Sequence, residues 1–136
     1  MEVDIITGVP LEECLRRKST AHICIDECVT GSYHRSSLEG LALGCLVINA
    51  CDSRCASLLR QMTGGVDSSP FAYATIEDLQ KRLEGLVSKW DHDKDYGTSR
   101  QWMEYAWQPA ELIERNFKPL MDAAFEHAKG MTPAWG

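Results

Sequence analysis

"LEGLALGCLVINAC", residues 38–51, is the stretch on which the fold turns. It is apolar on nearly every side, and such a run is buried wherever it lies. Taken at helical period, it joins the residues after it into one long central helix over about 37–62. Ser36, with Glu39 three residues on, has the form of a capping box at its start, and "TGG" at 63–65 closes it. Gly40 and Gly44 fall four apart on one face of that helix. Each costs about 1 kcal/mol against alanine in a helix interior, so close approach of another backbone is the expected reason. The run is too short to span a membrane.

Outward from this stretch, the chain reads as further helices joined by short loops. Pro10 suits the first position of a helix over 10–18, with Glu12 and Glu13 in the turn where the helix dipole favours acids. "STAHICIDECVTG" at 19–31 fits a strand by the alternation of Ile23 and Ile25, and a helix by Ile25, Cys28 and Val29. "VDSSPFAYA" at 66–74 is a loop or a short extended piece. "TIEDLQKRLEGLVSKW" at 75–90 carries Ile76, Leu79, Leu83, Leu86, Val87 and Trp90 on one stripe, behind Thr75 as N-cap. Thr98 and Gln101 form a second capping box before a helix over 99–107. A last helix starts near Pro109 and carries Leu112, Ile113, Phe117, Leu120, Met121, Phe125 and Ala128, with a kink at Pro119 and Gly130 as C-cap. Residues 131–136 form a tail. The expected fold is mainly α, a compact single-domain bundle of four to six helices over residues 1–136.

Composition sets the class. The chain has 136 residues, 44% of them apolar and 25% charged, which suits one soluble domain with its own core. A net charge of −6 argues against direct nucleic-acid binding, which needs clustered Lys and Arg. "MEVDIITGVP" has acids where a secretory leader has bases, so the expected location is cytoplasmic.

Three places invite chemistry. "WDHDKDYGTSRQW" at 90–102 resembles an EF-hand calcium loop, with Asp91, Asp93 and Asp95 at its first, third and fifth positions. It departs twice. Tyr96 stands where the sharp turn needs glycine, and Trp102 stands where a bidentate glutamate belongs. A solvated acidic turn between two helices is the plainer reading. Cys24 with Cys28, and Cys51 with Cys55, are two pairs at a spacing of four, which share a face on a helix and could hold zinc by four thiolates. The pattern also resembles the twin C-x3-C helical-hairpin proteins, which would imply two disulfides. Packed core thiols are the alternative in a reducing compartment. "GSYHRSS" at 31–37 sets Tyr33, His34 and Arg35 beside a helix N-terminus, where an anion can bind.

The aromatic residues Trp90, Trp102, Tyr105 and Trp107 crowd into one short region with Glu104 among them. One short helix cannot bury them all, and surplus Trp and Tyr dominate binding surfaces. The expectation for function is therefore a small acidic, non-enzymatic protein that binds another protein, an inhibitor or adaptor of the phage or mobile-element type. The alternative is a metal-binding module, with calcium at Asp91–Gly97 or zinc at Cys24, Cys28, Cys51 and Cys55.

Overall fold

The computed structural model describes residues 2–66, 69–89 and 92–130, with backbone alone over 92–97. In chain order the elements are α1 (Leu11–Lys18), β1 (Ile23–Ile25), α2 (Arg35–Ala42), β2 (Leu46–Asn49), α3 (Ser53–Met62), β3 (Phe71–Tyr73), α4 (Leu79–Val87), α5 (His92–Ala106), α6 (Pro109–Leu112), a π-helical segment (Ile113–Phe117) and α7 (Lys118–Gly130). The fold is mainly helical, as expected. Its centre, however, is a three-stranded parallel sheet in the order β1-β2-β3, with Cys24 opposite Val47 and Val47 opposite Phe71.

The long central helix expected over 37–62 is therefore three elements. Gly44 breaks it. At φ 86° it adopts the left-handed conformation that side chains resist. Its N–H donates to Leu41 O at 3.0 Å and that of Cys45 to Gly40 O at 2.9 Å, a Schellman ending. The next residues, "LVIN", then form the middle strand. A parallel strand covered on both faces is apolar at every position, so its pattern matches that of a buried helix. Gly40 does mark a close approach, but of side chains. A Cβ there would lie 3.0 Å from Val47 Cγ2 and 3.1 Å from Cys24 Cβ.

Strand alternation sorts the core into two faces. Cys24 and Val47 face one side, where Leu41, Cys45, Leu59, Trp102 and Ala106 complete the packing from α2, α3 and α5. Ile48 faces the other with Cys28 and Ala74, against Leu79, Leu83 and Leu86 of α4. Leu41, Val47 and Ile48 have no exposed surface, and each such side chain stabilises the fold by about 1.5–3 kcal/mol.

Several helix boundaries differ from those expected. Ser36 and Glu39 form no capping box, since His34 is the N-cap of α2. They hold Lys18 instead: its buried ammonium donates to Ser36 Oγ and Glu39 Oε2, both at 2.8 Å, and ties α1 to α2. Helix α4 starts at Leu79 behind Asp78, four residues after Thr75. Helix α5 is already helical at His92, so Thr98 and Gln101 lie inside it and do not mark its start. Beyond Pro109 the chain is helical to Gly130. Pro119 has no N–H for an α-helical bond to residue 115. The chain changes register just before it, as the Lys118 N–H reaches back five residues to Ile113 O.

Candidate functional site

Successive strands that run parallel bring their carboxyl ends to one edge. Three βα connections meet there: 26–34 after β1, Ala50–Asp52 after β2 and Ala74–Asp78 after β3. The polar residues that end the apolar strands build this edge.

Asn49 closes β2 and is fully buried. Its Nδ2 donates to Ser37 Oγ at 2.9 Å, and its Oδ1 accepts the Cys51 N–H at 3.1 Å. Ser37, also fully buried in the first turn of α2, donates its hydroxyl to Asp26 Oδ2 at 2.7 Å. The same carboxylate oxygen accepts the His34 N–H at 3.1 Å, and His34 Nδ1 stands 4.0 Å from the other. This relay, from Cys51 through Asn49 and Ser37 to Asp26 and His34, fastens both connections to the start of α2. Every buried polar group in it has a partner, as burial requires.

The loop between is fixed as firmly. The Glu27 carboxylate accepts the N–H groups of Val29 and Thr30 and, at 2.7 Å, the Thr30 hydroxyl. The Thr30 hydroxyl bond is the largest cause that holds the Glu27 carboxyl below its usual range. Gly31, at φ 79°, accepts the Asp52 N–H on its carbonyl at 3.1 Å, and a Cβ on it would lie 3.0 Å from Asp52 Oδ2. Asp52 in turn caps α3 by accepting the Cys55 N–H at 2.8 Å. The Tyr33 ring packs on Phe71 with centroids 5.2 Å apart. The carboxylates of Asp26 and Glu27 are thus bonded inward. The exposed side chains at the α2 N-terminus are those of His34 and Arg35, with Arg35 also paired to Glu39 at 2.7 Å.

Two concavities stand out among the described residues. One of about 370 Å³ lies beside the end of β3 and is lined by Tyr73, Ala74, Asp78, Lys81, Arg82 and Lys89. The larger, about 690 Å³, lies at the α3 C-terminus and includes Gly64, Glu104, Tyr105 and Arg115. Size does not make it the site. Its Arg115 is engaged with Met62 O at 3.4 Å and Glu111 at 3.8 Å, which is a cap on the end of α3.

The aromatic cluster singled out by sequence falls elsewhere. Trp102 is 9% exposed in the core, and Trp107 packs on it with centroids 6.4 Å apart. Among its described members, Tyr105, 76% exposed, and Glu104, paired with Arg100 at 3.0 Å, face outward. Trp90, Asp91 and the side chains of Asp93 and Asp95 lie outside the described residues, as does the tail at 131–136. The backbone at 93 and 95 is helical, which is not the ion-wrapping loop of an EF-hand. Cys24 and Cys28 share no helical face, because β1 is a strand and they pack in different cores on opposite sides of the sheet. Among the described residues, no three His, Cys, Asp or Glu side chains converge as a metal site. No described helix is long and apolar enough to cross a membrane.

Sequence reasoning singled out Tyr33, His34 and Arg35 at this edge but missed Asp26, Ser37, Asn49 and Asp52. The signal was present as a polar residue directly after each apolar strand run, in "ICID" and "LVIN". Comparison with family models, curated proteins and solved structures gives no match.

Proposed function

We propose that this chain is an α/β ligand-binding module whose sheet edge, at the carboxyl ends of β1–β3, takes a phosphate-bearing small molecule of the nucleotide class. The place follows from topology: in open parallel sheets ligands bind outside the carboxyl ends of the strands, and a βαβαβ unit is the mononucleotide-binding half of doubly wound folds. The ligand class is drawn by that topological analogy. The local chemistry agrees with it. The start of α2 offers backbone N–H groups and the positive end of a helix dipole, with Arg35 and His34 exposed beside it.

The observation that carries the reading is the buried Asp26–Ser37–Asn49 relay. Buried polar side chains lower stability unless fully paired, and this set fixes one connection against another where a ligand would sit. Titration with nucleoside diphosphates and inorganic pyrophosphate, followed by backbone amide chemical shifts, tests it. The expected shifts lie at Gly31–Ser37 and Asp52–Cys55, and Arg35→Ala should weaken binding about tenfold, the loss of one charge-assisted contact of about 1.4 kcal/mol. Shifts confined to Thr63–Val66 and Gln108–Arg115 would move the site to the other concavity.

A second reading, binding of another protein, is favoured by a different surface from the one expected by sequence. Ile113, Phe117, Leu120, Met121 and Phe125 are all exposed along the last helix, an apolar stripe of the kind that marks interaction sites. Capture of a partner that is lost in Leu120→Ser and kept in Tyr105→Ala would support it.

A further inference from the structure

Helix α4 turns two faces to different surroundings. Leu79, Leu83 and Leu86 pack toward Cys28, Ile48 and Ala74 at the sheet. Asp78, Lys81, Arg82, Gly85 and Lys89 recur at steps of three and four and line the concavity of about 370 Å³ beside the end of β3, together with Tyr73 from the strand. Three cations therefore line one hollow on a chain whose net charge is −6. The acids nearby are bonded elsewhere. Asp78 accepts the Thr75 hydroxyl at 3.4 Å, and Glu84 accepts the Gln80 amide at 3.0 Å. Among the described residues, Lys81, Arg82 and Lys89 form no ion pair, whereas Arg16, Arg100 and Lys129 each hold an acid three or four residues away on their own helix.

Gly85 is the second observation. It lies inside α4, where glycine is the poorest helix former after proline. Packing does not require it, because a Cβ there would meet nothing within 4 Å. Backbone conformation does not require it either, since it is not among the glycines of positive φ. The chain's own structure gives no reason for the residue, whereas a bare backbone at this point lets a ligand lie against the helix. Arg82 stands three residues before it and Lys89 four after, so the two cations flank the gap.

We infer that this hollow is an anion site for a small phosphate-bearing molecule, held between Arg82 and Lys89 across Gly85, with Lys81 as the third cation. Charge-assisted hydrogen bonds from Arg and Lys suit phosphate oxygens, and the volume falls in the range of small-molecule sites. The acidic chain as a whole disfavours a long phosphate backbone, which sets a nucleic acid aside. The site does not depend on the one proposed at the start of α2. That helix packs with Leu41 on the Cys24–Val47 face of the sheet, and α4 packs on the opposite face.

The test titrates inorganic pyrophosphate into the native chain at constant ionic strength and follows the backbone amides and the Arg82 Nε–H by NMR. The expected result is a saturable shift at Ala74, at residues 81–89 and at the Arg82 guanidinium. Arg82→Gln and Lys89→Gln should each weaken binding about tenfold, and Arg35→Ala should leave it unchanged. Gly85→Leu should act in opposite directions on two readouts. It fills the gap and abolishes the shifts, yet it raises the urea midpoint, since leucine is the better helix former. Absence of saturable shifts on α4, binding that survives Gly85→Leu, or an equal response to sodium chloride would each overturn the inference. A Gly85→Leu chain less stable than wild type would give the glycine a structural reason and remove the ground for the site. Shifts confined to Gly31–Ser37 would overturn this site and leave the one at α2 standing. A response to a single-stranded oligonucleotide and not to pyrophosphate would contradict the small-molecule assignment.

Discussion

The carboxyl edge of the sheet and the C-terminal helix are both amphipathic in sequence, yet they are built in opposite ways. At the sheet edge, Asp26, Ser37 and Asn49 are polar residues turned inward, each with its bonds filled. Along the last helix, Ile113, Phe117, Leu120, Met121 and Phe125 are apolar residues turned outward, and only Leu112 is buried. Asn116 Nδ2 and Arg115 touch the body of the fold at Met62 O. Hydrophobicity alone thus does not tell which segment is inside. The difference lies in whether polar partners and backbone geometry fix a segment against its neighbours.

This contrast can be broken by substitution. The largest effect is expected within the aromatic set. Trp102→Ala should lower stability to urea by about 3–5 kcal/mol through cavity formation, while Tyr105→Ala should change it by about 0.5 kcal/mol or less. Equal effects would mean that Trp102 does not anchor α5 in the core.

Asn49→Leu comes next. It leaves the Cys51 N–H without its buried acceptor and Ser37 Oγ without the donor it accepts, and should cost about 1–3 kcal/mol, against about 0.5 kcal/mol or less for Leu120→Ser. Gly40→Ala should cost about 1–3 kcal/mol by overpacking against Val47 and Cys24, although alanine is the better helix former. Gain of stability there would show that the α2–sheet contact can relax.

The smallest effect is in pH dependence. Burial opposes ionisation of Glu39, but the bonds from Lys18 and then Arg35 win and hold its carboxyl below its usual value. That contribution is therefore full above the unfolded value of about 4.3 and is lost as pH falls through the folded one. Burial likewise opposes the charge on Lys18, and Glu39 overcomes it, so its value is raised. Its share is full below the unfolded value of about 10.4 and is lost as pH rises through the folded one. Glu39→Gln should flatten both limbs of the stability profile and leave Lys18 buried without its carboxylate. Profiles that coincide with wild type would show that the pair contributes nothing.

Much of the helical content was legible because period and turn chemistry agreed. Pro109 starts a helix, and "TGG" ends α3 with a second Schellman bond, Gly65 N–H to Arg60 O at 2.8 Å. The sheet was not legible for a physical reason. Three strands of three or four residues carry too little alternation to show, and the middle one is covered on both faces. Once Cys24 lies in a strand, its helical pairing with Cys28 disappears, and with it the zinc geometry. The α2 end of the candidate site was visible in "GSYHRSS", but the buried relay behind it depends on contacts between distant segments that no local pattern encodes.

Native-state amide hydrogen exchange tests the central claim most directly, because it compares the two regions in one sample. The His34 and Cys51 amides, bonded into the relay, should exchange only through global unfolding, with the slope on denaturant that global unfolding shows. The amides of α7 should exchange earlier, through local opening with little denaturant dependence. If His34 and Cys51 exchange as fast as α7, the strand-end relay does not hold the edge together, and the proposed site has no rigid frame.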